Sequence, residues 1–233
     1  MPDITIPATD GGSFGAYLAA PSSGKGPGLV VIQEIFGVNK TMRDLCDSYA
    51  AQGYFAVCSD LFWRIEPGVQ LTDKTQEEWD KAFALMKAFL EQFEAGVGDL
   101  AATLAHVRGL EGATGKAGCV GYCLGGSLAY AMACFTDSDA SVGYYPVQIE
   151  NSLDHAGNIT KPAMFHLAEQ DAFCPPEARA KICEVLGELP QVELHVYPGV
   201  DHAFAREGGQ NYDAKAASLA NERTAALFKK HLG

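Results

Sequence analysis

The run Gly121-Tyr122-Cys123-Leu124-Gly125-Gly126 stands between a short apolar stretch, Ala117 to Val120, and a helix-like stretch, Ser127 to Cys134. Strand, sharp turn and helix in that order form the context of a nucleophile elbow. Small flanking residues permit a strained turn in which the central side chain stands clear at the C-terminal edge of a sheet. That side chain is the thiol of Cys123. The positive end of the following helix, together with a paired base, would lower its pKa from the free-cysteine value of about 8.5 and favour the nucleophilic thiolate. Taken alone, the motif also fits a small buried cysteine beside a tight turn.

An elbow nucleophile needs an acid and then a base, delivered in that chain order from the ends of later strands. The strand-like run Ala163 to Leu167 is followed by Ala168-Glu169-Gln170-Asp171-Ala172-Phe173, and the run Val192 to Tyr197 by Pro198-Gly199-Val200-Asp201-His202-Ala203-Phe204. The expected order is therefore Cys123, Asp171, His202. Among the other histidines, His106 and His231 fall on helix-like segments, His166 and His195 lie inside strand runs, and His155 sits in a polar loop with no strand just before it. Glu169 and Asp201 are rivals for the acid. Glu169 lies close to the strand end, and Asp201 is the direct neighbour of His202, where adjacent side chains usually diverge.

The remaining chain reads as alternating apolar runs and helical patterns, which predicts a mostly parallel sheet with helices on both faces. Thr5-Ile6 and Phe14 to Leu18 flank Asp10-Gly11-Gly12, a hairpin signal. Leu29 to Gln33 and Tyr54 to Cys58 read as central strands, with a helix between them over roughly Thr41 to Gln52 and a closing helix from about Tyr212 to His231. Phe62 to Asp73 is irregular. From about Thr75 the pattern becomes helical, with Trp79, Phe83 and Met86 placed either to pack the core or to frame a pocket.

At 233 residues the chain fits one domain, 1–233, with a sizeable core. Its hydrophobic content of 48% includes no apolar span near the ~18 residues of a membrane helix. The first residues lack a basic and then apolar leader, so a cytoplasmic location is expected. Seven cysteines, an odd number without C-x-x-C pairs, suggest reduced thiols, with Cys46, Cys58, Cys119, Cys134 and Cys183 read as small core residues. A net charge of −12 disfavours nucleic acid and anionic membrane surfaces as partners.

Glu34-Ile35, at the end of the third strand, offers two functions. The backbone N–H of Ile35, paired with that of Leu124, would form an oxyanion hole. A carboxylate at an apolar strand end needs a proton or a donor, and the Cys123 thiol would be such a donor for Glu34. The alternative is a glutamate that caps nearby backbone N–H groups.

Gln33-Glu34-Ile35-Phe36-Gly37-Val38-Asn39, the Gly121 to Gly126 run, Ala140 to Tyr145, Asp201-His202-Ala203-Phe204-Ala205-Arg206 and Leu219 to Thr224 together resemble the dienelactone hydrolase (carboxymethylenebutenolidase) family over nearly the whole chain. The resemblance implies an α/β-hydrolase fold and hydrolysis of an enol-lactone, of the dienelactone to maleylacetate type, through a Cys123 thioester. It implies that Glu34 holds the cysteine neutral and then accepts its proton. It also implies a carboxylate clamp of two arginines. Arg206 matches one, whereas the second falls near Trp79 and a pocket tyrosine falls near Phe83. Phe36, Trp79, Phe83 and Arg206 are thus the expected substrate-binding residues, and Arg64 and Lys81 are nearby cations that could replace the missing arginine. A carboxylesterase for a less charged ester, or a redox or ligand-binding protein on the same fold, are the alternatives. No cofactor or metal is expected, the expected partner is a small lactone or ester, and the chain is expected to act as a monomer.

Overall fold

A computed structural model describes residues 4–233. The chain divides into two compact units, one ending at Gly118 and the other beginning at Cys119.

In the first unit, β1 (Ile4–Pro7) and β2 (Ser13–Ala19) form the antiparallel hairpin that the Asp10-Gly11-Gly12 turn predicts. β4 (Phe55–Ser59) pairs antiparallel with β2 and parallel with β3 (Gly26–Ile32). Every residue of β3 and β4 is buried, which explains why both read as unbroken apolar runs with no alternation. The helix α1 (Lys40–Ala51) starts where the Asn39 side chain accepts the Met42 N–H at 3.2 Å. In the same way Thr75 caps α2 (Gln76–Leu90) by accepting the Glu78 N–H at 3.2 Å. The core face of α2 is Ala82, Leu85 and Phe89, and α3 (Phe93–Arg108) follows it. Trp79, Phe83 and Met86 therefore lie off the buried stripe.

In the second unit, β5 (Ala113–Tyr122, beginning before Gly118), β6 (Ser141–Tyr144), β7 (Ala163–Ala168) and β8 (Val192–Tyr197) pair in parallel, each with the next. Parallel strands point their C-terminal ends the same way, so the residues that follow them gather along one edge. Those residues are Cys123, Tyr145, the Glu169 to Phe173 loop and the Pro198 to Phe204 loop. The helices are α4 (Leu124–Phe135), α5 (Pro176–Gly187) and α6 (Ala214–His231). Tyr130, Phe165, Ile182 and Leu186 belong to the apolar core under α4 and α5.

A buried polar network joins α6 to the strands. The His166 ring bridges the Tyr197 hydroxyl at 2.8 Å and the Thr224 hydroxyl at 2.9 Å, and the Tyr144 hydroxyl meets Thr224 at 2.7 Å and Asn221 at 2.9 Å. Burial, helped by the charges of His195 and Arg223, holds the His166 pKa well below 6.5. His166 is thus a neutral structural group.

Candidate active site

Cys123 joins β5 to α4 with φ 57° and ψ −117°, a left-handed region that a non-glycine residue enters at a cost of about 1–3 kcal/mol. The surroundings impose it. A Cβ on Gly121 would lie 1.8 Å from the Gly125 carbonyl oxygen, and one on Gly126 would lie 2.6 Å from that of Tyr144. The Cys123 N–H donates to the same Tyr144 oxygen at 3.1 Å. α4 begins at Leu124, earlier than the Ser127 that periodicity suggests, because Gly125 and Gly126 hide the helix start from a hydrophobic pattern. Cys123 consequently occupies the N-cap position. The first N–H groups of a helix have no acceptor within it, so the Leu124 N–H lies among donors that lack an intrahelical partner.

His202 and Asp171 are both buried, and His202 Nδ1–H donates to Asp171 Oδ2 at 2.8 Å. The two rivals for the acid are engaged elsewhere. One Glu169 oxygen accepts the Gly199 N–H at 2.9 Å, clipping the two loops together, and Asp201 Oδ1 accepts the His202 backbone N–H at 2.6 Å. The His202 side chain also hydrogen-bonds to Cys123, through Nε2 because Nδ1 is occupied. Burial is the largest influence on His202 and opposes its charge. The Cys123 thiolate, the hydrogen bonds to Asp171 and Cys123, and the Asp171 charge together outweigh it, and the pKa is pushed up to about 10. Among the other histidines, His195 stacks on His166 with centroids 5.8 Å apart and His155 packs against Phe135.

In the first unit, Glu34, Ile35 and Phe36 follow β3 and are buried. Gly37 turns the chain at φ 78°, where a Cβ would lie 2.0 Å from the Val69 carbonyl oxygen, and the Leu71 N–H donates to the Phe36 carbonyl at 2.9 Å. Phe36 meets Trp79 edge-on at 5.0 Å, and Trp79 lies 5.5 Å from Phe83. The Trp79 indole N–H is committed to the Asp73 carbonyl at 3.0 Å. The two cations considered as substitutes for a second arginine are engaged: Arg64 binds Asp99 and Asp10 while stacking on Trp63, and Lys81 pairs with Glu66 at 2.6 Å. In the second unit Arg206 is partly buried, its N–H bonded to the Ala203 carbonyl at 3.0 Å. Among the described residues no group of three or more His, Cys, Asp or Glu is disposed to hold a metal ion.

The sequence model of the dienelactone hydrolase family matches residues 14–232. The chain belongs to that family. The chain is 54% identical over 234 residues to an Azospirillum brasilense protein provisionally named a carboxymethylenebutenolidase, with both chains covered in full. It is 42% identical to the carboxymethylenebutenolidase of Pseudomonas putida, covering 94% of this chain and 92% of the relative. Among solved structures, a provisionally named dienelactone hydrolase of Klebsiella pneumoniae superposes with a TM-score of 0.84 at 26% identity, covering 97% of this chain and 96% of that one. An esterase of Pyrococcus furiosus shares the fold at a TM-score of 0.69 and 14% identity, covering 99% and 92%. The fold is that of the α/β-hydrolases, and the protein is a hydrolase of the dienelactone hydrolase type. No helix among the described residues is long and apolar enough to cross a membrane.

Sequence reasoning missed two residues beside His202. The buried Tyr145 ring meets the imidazole at 5.1 Å and the Phe173 ring meets it at 4.8 Å. Both follow strand ends, as the candidate acid and base do, and that position was the available signal. Tyr145 also has φ 37°, and its N–H donates to the His166 carbonyl at 2.8 Å.

Proposed function

We propose that this hydrolase opens an enol-lactone through a covalent thioester on Cys123. The observation that carries the reading is His202, hydrogen-bonded on one side to Asp171 and on the other to a thiol held in a strained turn. The Cys123 thiolate attacks the lactone carbonyl carbon, and the carbonyl electron pair moves onto oxygen, where the N–H groups of Leu124 and Ile35 stabilise it. Collapse breaks the bond to the ring oxygen. That oxygen takes the Nε2 proton of the His202 imidazolium and leaves as an enol tethered to the acyl group. Neutral His202, oriented by Asp171, then removes a proton from water, which attacks the thioester and releases the carboxylic acid and the Cys123 thiolate. An enolate is a good leaving group, so an enol-lactone suits a thiolate better than an alkyl ester does.

Glu34 is assigned to hold resting Cys123 as the neutral thiol and to accept its proton as the attacking thiolate forms, a role that follows from family resemblance and is supported by its burial just after β3. The side chains of Arg206, Trp79, Phe83 and Phe36 are assigned to substrate. The engagement of Arg64 and Lys81 by carboxylates, together with the aromatic contacts among Phe36, Trp79 and Phe83, favours a second reading in which the lactone or ester carries less charge than dienelactone. The seven unpaired thiols suit a reducing, cytoplasmic setting.

A panel of lactones and aryl esters, each with and without a carboxylate, tests both readings, with intact-protein mass spectrometry after brief mixing. The expected result is turnover of at least one lactone and an acyl adduct lost in Cys123→Ala. An unmodified protein that turns over no member of the panel would overturn the assignment.

A further inference from the structure

Phe173 is a large apolar side chain left 48% exposed, and its position is fixed. Its backbone N–H donates to Asp171 Oδ1 at 2.8 Å, while the next residue, Cys174, is buried in the apolar core and donates its N–H to the Asp171 carbonyl at 3.2 Å. Pro175 then occupies the position just before the first turn of α5. The ring is therefore held out by ordered backbone on either side, and leaving it exposed forgoes the ~25 cal/mol per Å² that burial would return. Other large apolar side chains are also exposed, among them Leu90, Phe135, Val196 and Leu219. Phe173 differs because its ring packs on His202, with centroids 4.8 Å apart and planes at 66°.

The chemistry of His202 shows what this exposed ring faces. Nδ1 is held by Asp171, so the proton delivered to a departing oxygen must come from Nε2, and that oxygen must come within about 2.6–3.2 Å of it. Whatever substituent the departing oxygen carries is then brought against the groups that flank the imidazole. Tyr145 and Phe173 both meet His202, but Tyr145 is 1% exposed and offers no free surface, whereas Phe173 does.

We propose that Phe173 is a specificity-determining residue that packs against the leaving-group side of the substrate and selects for a flat or bulky apolar substituent there. The inference rests on the hydrolase reading above. Because the ring is anchored through Asp171, a substituent that packs on it is registered against the same carboxylate that orients His202. Binding at this position and alignment of the proton donor are thereby linked.

The test compares three esters of one acid: phenyl, methyl and 2,2,2-trifluoroethyl. The last is activated but small, which separates contact with the ring from leaving-group acidity. In Phe173→Ala, kcat/KM for the phenyl ester is expected to fall about tenfold relative to the unmodified enzyme, mainly through KM, with the two small esters within about twofold. Phe173→Tyr keeps the ring and should restore the phenyl preference. Equal losses on all three esters would mark Phe173 as structural, and no loss on any would leave it without a role, so either result overturns the proposal. An unmodified enzyme that hydrolyses none of the esters and no lactone would instead refute the hydrolase reading itself, a result read before any variant is made.

Discussion

The backbone N–H of Cys123 donates to the carbonyl oxygen of Tyr144 at 3.1 Å, so the strained turn and the end of β6 are fixed to each other. The same oxygen leaves no room for a side chain on Gly126, where a Cβ would approach to 2.6 Å. Gly126→Ala must therefore displace backbone. It is expected to destabilise the protein by more than about 2 kcal/mol and to lower activity beyond what the loss of folded protein explains, measured by urea unfolding and by kcat on the folded fraction. Wild-type stability and activity in this variant would mean that the elbow is far softer than its contacts imply.

A second expectation concerns charge. The His202 pKa is raised to about 10, so the contribution of its charged form to stability is complete below the unfolded value near 6.5 and disappears as pH rises through about 10. Unfolding free energy should decline over that window. Cys123→Ala removes the thiolate that helps hold the proton, so it should abolish hydrolysis, leave the fold intact and lower the His202 pKa as followed by NMR. Cys123→Ser should also be poor, because a hydroxyl of far higher pKa gains little from the same surroundings. An unchanged His202 titration in Cys123→Ala would remove the thiolate from the account.

The acid can be tested by exchange. Asp171→Asn keeps the shape but disturbs the tautomer and orientation of His202, so kcat should fall by orders of magnitude, though less than in His202→Ala. Glu169→Gln and Asp201→Asn should retain most activity, since those carboxylates bond the Gly199 and His202 backbone N–H groups. Crippled Glu169 or Asp201 variants beside a silent Asp171→Asn would reassign the acid.

The strand ends that carry Cys123 and Asp171 were legible because buried parallel strands announce themselves as apolar runs, and the one before His202 because Val192 to Tyr197 alternates apolar and polar residues as a half-buried strand does; the parallel pairing then places the following residues on one edge. The start of α4 was not legible, because Leu124-Gly125-Gly126 carries no helical periodicity even though the geometry of Cys123 requires the helix to begin there. Trp79, Phe83 and Met86 share a spacing that fits the core or a pocket rim equally well. The burial of Ala82, Leu85 and Phe89 instead settles which stripe of α2 is the core. The engagement of Arg64 by Asp10 and Asp99 spans distant segments, and no local pattern reports it. Tyr145 and Phe173 escaped because an aromatic residue after a strand reads as ordinary packing until its neighbour is known.

His166 supplies a stability prediction that is independent of catalysis. Its native pKa lies well below 6.5, chiefly through burial, and that of His195 is lowered chiefly by burial as well. Below pH ~6.5 the unfolded chain binds protons that the native state refuses, so stability should fall as pH falls through and below that value. His166→Ala removes two buried hydrogen bonds and leaves a cavity. It should cost about 2–4 kcal/mol at neutral pH and flatten the acid limb, both read from urea unfolding across pH. An acid limb identical to that of the wild type would assign the acid sensitivity to other groups.

The last prediction concerns the carboxylate of the substrate. If Arg206 is the surviving half of a two-arginine clamp, Arg206→Ala removes a charge-assisted hydrogen bond of ~1.5–3 kcal/mol from anionic lactones only. Their KM should rise by about tenfold or more while neutral esters stay within about twofold. The neutral esters are the internal control, because a folding defect would affect both classes. Trp79 stands where the second arginine is expected, and its indole N–H is committed to the Asp73 carbonyl. Discrimination in favour of the anion should therefore be weak in the natural protein. Trp79→Arg would place a guanidinium beside Phe36 and Phe83 and should shift kcat/KM towards the carboxylate-bearing lactone. Its folding is checked by thermal unfolding, since the edge contact of Trp79 with Phe36 is lost. Equal effects of Arg206→Ala on both substrate classes would make Arg206 structural, and with it would go the main argument that the lactone is acidic.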